Sequence, residues 1–559
     1  MTQLTRRSLI GGAAMLTTGA AASMVGFSGK ALAEETSWTD ERDVVIVGAG
    51  FAGLGAAITA KTEFPDLNCV VLEAAPFYET GGNSRVCGQV YTTMDDVDKA
   101  VTYLQECNGG ADIVEEEYIR AWAQRETEAY QWLADLGCDL QKLWIDCDPP
   151  YNGGIEFPEY HGSDGIVTYA FGGSLGGDTE NSYGIVGGAL YNWGYEKAME
   201  LGVEIKNDTR VVDFVLDPET REVRGVATEA GDAIKARRGV IMACGGFEND
   251  LETMRQYFPL PSLSTTMSPD GTFYNRGDGL RMCQRLGAKM WHMNNFASVN
   301  WQYPLTEDLD PLKAGSISLT TDAKDFVFIG PRGKRFVNEE RTNFLRHGKS
   351  CFYGGVYTQQ PMFTPAWTVF GSEKFEATDP IIKNGKSKDE RTEYMLGGDG
   401  TNESALEQGI IIKGDTLEEL AANMGLDERW IPDFVDEITQ YNEVYCDEGY
   451  DYDFKRGTYF FDDGCPQRKE IKEFELQPLE PPFYAIRMTP YLLNTQGGPK
   501  RNGKGEILDI DENVIPRIWG AGEFGAIFAS DYNGGFNVVD AWMTGREAMR
   551  TAAEMQSWE

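Results

Sequence analysis

The chain has 559 residues, 42% hydrophobic and 25% charged, which is too long for one ordinary core and too apolar for disorder. Fifty Lys and Arg against 88 Asp and Glu give a formal charge of −38, a surface that repels phosphate backbones and anionic lipid. Nucleic acid is therefore excluded as a partner. Three His and ten Cys without a CxxC or CxxCH pair give no support to c-type haem, ordinary zinc sites or ferredoxin-type clusters, so no metal site is expected.

Residues 1–33 carry Arg6, Arg7 and Lys30 and no acid. Thr5-Arg6-Arg7-Ser8-Leu9-Ile10 precedes a weakly apolar Gly/Ala-rich stretch, and Ala31-Leu32-Ala33 offers small residues before Glu34. This resembles a twin-arginine signal peptide and predicts export, to the periplasm or cell envelope, of a protein already folded around its cofactor. No later stretch reaches roughly 18 uninterrupted apolar residues, so stable membrane insertion of the mature chain is not expected.

Asp43-Val44-Val45-Ile46-Val47 reads as a buried parallel strand. It runs into Gly48-Ala49-Gly50-Phe51-Ala52-Gly53, an Ala-rich helix, and a second strand, Cys69–Leu72, ending in Glu73. Strand, glycine turn, helix, strand and terminal acid in that order predict a dinucleotide site. Gly48 permits the tight turn, Gly50 lets a pyrophosphate approach the backbone, and Gly53 lets helix and strand pack closely. The helix N-terminus faces the phosphates, and Glu73 can take ribose hydroxyls. Gly81-Gly82-Asn83-Ser84 follows. Val211–Val215, a turn at Asp217-Pro218, and Val223–Thr228 predict a small β-meander, returning through Gly239–Phe247. Ile518–Glu523 is another strand ending in Gly-Glu, and Asn533–Arg550 reads as a glycine turn opening a final helix.

The ordered set Gly48–Gly53, Glu73, Gly81–Ser84, Ala243–Phe247, Gly277-Asp278-Gly279, Arg335-Phe336-Val337-Asn338-Glu339, Gly497-Gly498 and Gly522-Glu523 resembles the flavoprotein superfamily of fumarate reductases, succinate dehydrogenases and 3-ketosteroid dehydrogenases. The resemblance implies an α/β fold: a Rossmann-type FAD-binding domain built from two segments, 42–255 and 484–556, with an α+β capping domain inserted at 256–483. It implies FAD contacts at Ala52, Glu73, Gly82, Asn83, Ser84, Gly88, Val212, Asp278, Glu523, Val538 and Val539. Succinate dehydrogenases attach FAD through a His after the glycine clasp; Ser84–Gln89 contains none, so FAD is expected to be non-covalent.

Dicarboxylate-reducing members bind a dianion through cationic groups. Their proton-donating Arg stands eight residues after the Arg of RFxNE, which is Asn343 here. Their substrate His falls on Asn494, and their C-terminal substrate Arg, eleven residues after the Gly of Gly-Glu, falls on Asn533. Asn neither holds a carboxylate's charge nor delivers a proton. A fumarate-type reductase would need displaced arginines, for which Arg341 and Arg346 are the candidates. Asp531-Tyr532-Asn533-Gly534-Gly535-Phe536-Asn537 instead resembles the tyrosine–glycine turn of 3-ketosteroid dehydrogenases. Carried over, Tyr532 and the N–H of Phe536 polarise a substrate carbonyl. Asn494 and Asn533 lend a neutral polar lining, and Tyr303 and Tyr357 are further acid or base candidates in the insertion. The expected activity is reduction of a C=C bond conjugated to a carbonyl, in an enone or steroid-like, non-dicarboxylate substrate, by hydride transfer from flavin N5. The alternatives are a reductase of an unsaturated carboxylate and a flavin electron-transfer subunit without its own substrate. Lacking a haem motif or a second flavin module, the chain is expected to draw electrons from an external donor, a membrane quinol or cytochrome pathway or an exported carrier. Arg335 and Glu339, four apart, read equally well as a structural ion pair.

Overall fold

The structure is a computed structural model. It describes residues 36–558 apart from 111–112, 146–150, 153–154, 174–178, 259–267, 270–271, 305–313, 317–324, 340–345, 350, 354–355, 360, 362, 364, 377–400, 455 and 457–475. The leader at 1–33 and two of the residues weighed for a dicarboxylate site, Arg341 and Asn343, lie outside the described residues, as does the side chain of Arg346.

Val44, Val45 and Ile46 are fully buried on both faces of the strand Asp40–Val47, as a parallel strand covered by helices requires. It is central to an eight-stranded sheet, pairing in parallel with Cys69–Leu72 on one side and Ala233–Met242 on the other. The other edge of the long strand Ala233–Met242 is shared by two strands. Its first half pairs antiparallel with Val223–Thr228, which pairs in turn with Val211–Leu216 to form the meander, while Val240–Met242 pairs in parallel with Ile518–Gly520. The second sequence segment thus completes the sheet begun by the first. Helices Phe51–Glu63, Ala189–Glu200 and Phe536–Glu554 cover one face. The first and last of these approach closely: a Cβ on Gly55 would lie 2.5 Å from the Trp542 carbonyl oxygen.

A second, seven-stranded sheet lies in the insertion. Its centre is Phe483–Thr495, thirteen residues that pair with Phe296–Pro304 on one side and Ala366–Phe370 on the other, with Ile411–Gly414 beside its first residues. The return to the nucleotide-binding unit was expected at 484, but this strand belongs to the capping sheet and the chain rejoins the first sheet only beyond Thr495. Conversely, helix Asp278–Arg285, inside the expected cap, buries Met282 and Cys283 in the nucleotide-side core. A third layer, strands Tyr91–Met94, Leu140–Lys142 and Ile166–Phe171 with helices Val97–Cys107 and Glu116–Asp135, backs the loop before the final helix.

Candidate active site

The glycine turn leaves no room for side chains. Gly48 has φ +104°, and a Cβ there would overlap the Ala243 carbonyl; one on Gly53 would overlap the Gly48 carbonyl. Gly50 caps the helix Phe51–Glu63 without a side-chain hydrogen bond, so the first-turn N–H groups face outward. A Cβ on Gly50 would stand 3.0 Å from Ser84 Oγ, which accepts the Phe51 N–H at 2.9 Å. Glu73 is buried, its carboxylate accepting the N–H groups of Ala49 at 2.8 Å and Ala75 at 2.9 Å. Burial pushes its pKa up and those N–H groups oppose the rise. The N–H groups of Gly81 and Ala74 also lie close enough to stabilise the carboxylate, so Glu73 sits at the centre of the glycine turn and its clasp.

The other implied cofactor residues surround this turn unevenly. Ala52 lies where the first helix meets the last, its carbonyl against Gly545. Val538 and Val539 sit in the first turn of the final helix. Gly82 opens the short helix Gly82–Val86 with φ +58°, whereas Gly88 is exposed beyond its end. Val212 lies on the meander, its carbonyl accepting from Arg285 at 3.1 Å. Asp278, first residue of its helix, is ion-paired with Arg210 and Arg281.

Asn83 joins this region to a buried acidic pair that the sequence reading only half anticipates. Its amide donates to Glu248 Oε1 at 2.8 Å and Glu523 Oε2 at 3.3 Å, and its Oδ1 accepts the Thr272 N–H at 3.0 Å. Asn494 donates to Glu523 Oε1 at 2.8 Å, and Asn275 to Glu248 Oε1 at 2.7 Å. Burial and mutual repulsion push both carboxyls up, so the pair favours retaining a proton. Glu248 directly follows Gly245-Gly246-Phe247, a position with no local signal of its own. Beside it, in the Thr495-Gln496-Gly497 turn, the Gln496 amide is buried and has no partner at either atom. The glycine cradle, the Glu73 acceptor and this orphaned amide fit FAD: a pyrophosphate on the helix N-terminus, a ribose on Glu73, and a flavin among polar groups left unmet by protein.

The turn before the final helix differs from expectation in one respect. The N–H of Phe536 is not aimed beside the tyrosine hydroxyl; it closes the helix start on the Asn533 carbonyl at 3.3 Å. The Phe536 side chain is core, stacked on Phe528 and edge-on to Trp122. The N–H groups of Gly535 and Asn537 flank that position and donate to Tyr532 Oη at 3.2 and 3.4 Å. A phenol oxygen has two lone pairs, and both are taken. Among the described residues nothing accepts the Tyr532 proton, so the hydroxyl can act there only as a donor. Burial raises its pKa, and the two N–H groups counter that by stabilising negative charge on its oxygen. Asn533 is fully buried, its Oδ1 accepting from Tyr103 Oη at 3.1 Å and the Glu156 N–H at 2.8 Å, so it ties the turn to the third layer.

Tyr532 has a neighbour that sequence spacing does not reveal. The His347 ring meets it edge-on at 4.7 Å between centroids, and His347 Nδ1 bonds Glu156 Oε2 at 2.9 Å. Glu156 Oε1 in turn accepts the Gly534 N–H at 3.0 Å. Lys349 is buried nearby, its ammonium on the Ser530 carbonyl at 2.9 Å and Asn295 Oδ1 at 2.9 Å; burial pulls its pKa down to about 8. Tyr303 and Tyr357 lie on strands Phe296–Pro304 and Val356–Thr358, with side chains outside the described residues.

Arg335 and Glu339 are structural. Arg335 donates to Glu339 at 2.8 and 2.7 Å and to Asp451 at 2.7 Å, all three side chains fully buried, between the rings of Tyr441 and Phe454. Among the described residues no group of His, Cys, Asp or Glu is placed to hold a metal ion, and no helix is long and apolar enough to cross a membrane.

Residues 43–537 match the family described as FAD binding domain. A 3-oxosteroid 1-dehydrogenase of Mycolicibacterium smegmatis is 28% identical over an alignment covering 90% of this chain and 95% of that protein. A probable fumarate reductase of Shewanella frigidimarina is 24% identical, covering 94% of this chain and 76% of that one. The crystal structure of a 3-ketosteroid delta1-dehydrogenase from Sterolibacterium denitrificans superposes with a TM-score of 0.69 at 19% identity, covering 92% of this chain and 100% of that one, a likeness of fold.

Proposed function

This chain belongs to the FAD binding domain family and is an FAD-dependent oxidoreductase, and from that premise we propose that it reduces a C=C bond conjugated to a carbonyl in a neutral, enone-type substrate. One observation carries the reading: Tyr532 accepts two backbone N–H bonds and has only its proton left to give. Bound FAD supplies the hydride chemistry; the chain's residues would prepare the substrate. Tyr532 donates to the carbonyl oxygen and drains charge from the double bond. The N–H groups of Gly535 and Asn537 stabilise the charge that the phenol oxygen gains as it donates, the work of an oxyanion hole at one remove. Glu523 and Glu248, bridged by Asn83 and flanked by Asn494, would hold the cofactor's polar chain and ring edge. The residues that would hold FAD are Gly48, Gly50, Gly53, Glu73, Ser84, Asn83 and Glu523, without a covalent bond. Asn494 and Asn533 supply no charge for a dianion, and both amides serve internal bonds, which weighs against the fumarate-type reading.

Export by the twin-arginine route and electron delivery by a quinol or cytochrome pathway, or by an exported carrier, are part of the same proposal. The leader supports the first; the second follows because cytoplasmic NAD(P)H is out of reach of an exported enzyme. The test is anaerobic reoxidation of the dithionite-reduced holoprotein by a panel of enones, lactones and unsaturated acids. Reoxidation by enones is expected. Reoxidation by fumarate or related acids alone, or only by a protein partner, overturns the reading.

A further inference from the structure

We propose that His347 is the general acid of this reaction, delivering a proton from Nε2 to the substrate carbon next to the carbonyl, with Glu156 as its positioning residue. The inference rests on the enone reading above and names the one group that reading leaves unassigned.

Reduction of a conjugated C=C bond needs two donors in different places. Hydride, supplied by the reduced flavin, forms a C–H bond at the β-carbon; the π electrons shift toward the carbonyl and a proton closes the second C–H bond at the α-carbon. The α-carbon is one bond from the carbonyl carbon, so its proton donor must stand beside the group that holds the carbonyl oxygen. Tyr532 cannot do both, because its single proton faces that oxygen. The His347 ring is in edge contact with the Tyr532 ring, and a Cβ on Gly534 would lie 2.9 Å from His347 Cε1, so the imidazole rests directly on the substrate turn. Gly534 is the position where the turn could carry no side chain without displacing it.

The imidazole is oriented as a proton donor requires. Nδ1 is held by the Glu156 carboxylate at 2.9 Å, which fixes ring rotation; Nε2 has no partner among the described residues. Glu156 is itself pinned by the Gly534 N–H, so the carboxylate spans the histidine and the tyrosine turn. The backbone at His347 has φ +43°, a left-handed conformation a His adopts only where the surroundings demand it. Lys349, two residues on, ties this segment to Asn295 and Ser530. The charged and titratable groups around the imidazole are Glu156 before it, Tyr532 and Asp531 on the turn, and Lys349 on its own segment; Asp531 is taken up by Tyr160 at 2.5 Å. When the proton leaves Nε2 the imidazole becomes neutral, and solvent restores it.

The test uses FAD-loaded wild type, H347N and E156Q, with single-turnover reoxidation by a cyclic enone followed across pH. Asn tolerates the left-handed backbone, so H347N keeps the fold. H347N is expected to slow the step by roughly 100-fold or more, while FAD content and affinity for the saturated ketone are kept. E156Q is expected to slow the same step by roughly tenfold at unchanged affinity for the saturated ketone, because the imidazole loses the carboxylate that orients it. An H347N protein with the wild-type rate and profile overturns the assignment while leaving the enone reading intact. A wild type that no enone reoxidises overturns both. Should H347N lose FAD, E156Q decides: a slowed step at unchanged ketone affinity supports His347 and a wild-type rate overturns it.

Discussion

Two buried charge clusters, one in the capping unit and one beside the nucleotide cradle, are built on opposite rules. In the cap, Arg335 and Arg456 face Glu339 and Asp451, cation against anion, fully buried between aromatic rings. Beside the cradle, Glu248 and Glu523 face each other with no cation, held by the neutral amides of Asn83, Asn275 and Asn494. The first arrangement pairs its charges internally, cation with anion. The second raises both carboxyl pKa values and leaves acceptors and a proton available, at a cost the fold sustains only where something else binds. Within one motif-rich family resemblance, the charged motif is therefore architecture, and the amide-lined acids are the group proposed to meet the cofactor.

The sharpest way to break this comparison is Arg335→Ala. Leaving Glu339 and Asp451 without their principal cation should lower stability by about 3–5 kcal/mol, read as a fall in Tm of the holoprotein. A loss under about 1 kcal/mol would mean that Arg335 is not a structural ion. Next, Tyr532→Phe removes the hydroxyl proton and should slow the chemical step by about one to three orders of magnitude with FAD content unchanged. An unchanged single-turnover rate would remove Tyr532 from the mechanism. The smallest effect sharpens the acidic pair. Glu523 has its pKa raised by burial and by Glu248, so its contribution to stability is present below the ordinary carboxylate range and is lost as pH rises through its raised pKa. Glu248→Gln removes the repulsion, so Tm of the FAD-free protein should fall less between the ordinary carboxylate range and about pH 8 than in wild type. An identical pH dependence would show that the two carboxyls do not interact.

The parts legible in the sequence were those with local causes. Gly48, Gly50, Gly53 and Glu73 are read from one strand–turn–helix–strand unit, and the meander and final helix from periodicity and turn residues. The boundary expected at 484 falls at the start of the strand Phe483–Thr495, because an apolar run carries no information about which sheet it joins; pairing with Phe296–Pro304 and Ala366–Phe370 decides that. Tyr532 was found through its turn, but the Phe536 N–H expected to share the substrate carbonyl with it closes the helix start on Asn533, which periodicity does not show. His347 and Glu156 were invisible as a pair: 191 residues separate them, and only the fold brings both onto Gly534.

The central claim is the proposal that the site polarises a neutral conjugated carbonyl through Tyr532 rather than binding a dicarboxylate. It is tested most directly by the first-order rate constant for anaerobic reoxidation of the reduced holoprotein, measured side by side with one cyclic enone and with fumarate. The account predicts the enone to be faster by roughly 100-fold or more, and that advantage to collapse in Tyr532→Phe. Fumarate reacting as fast as the enone, or faster, would contradict it.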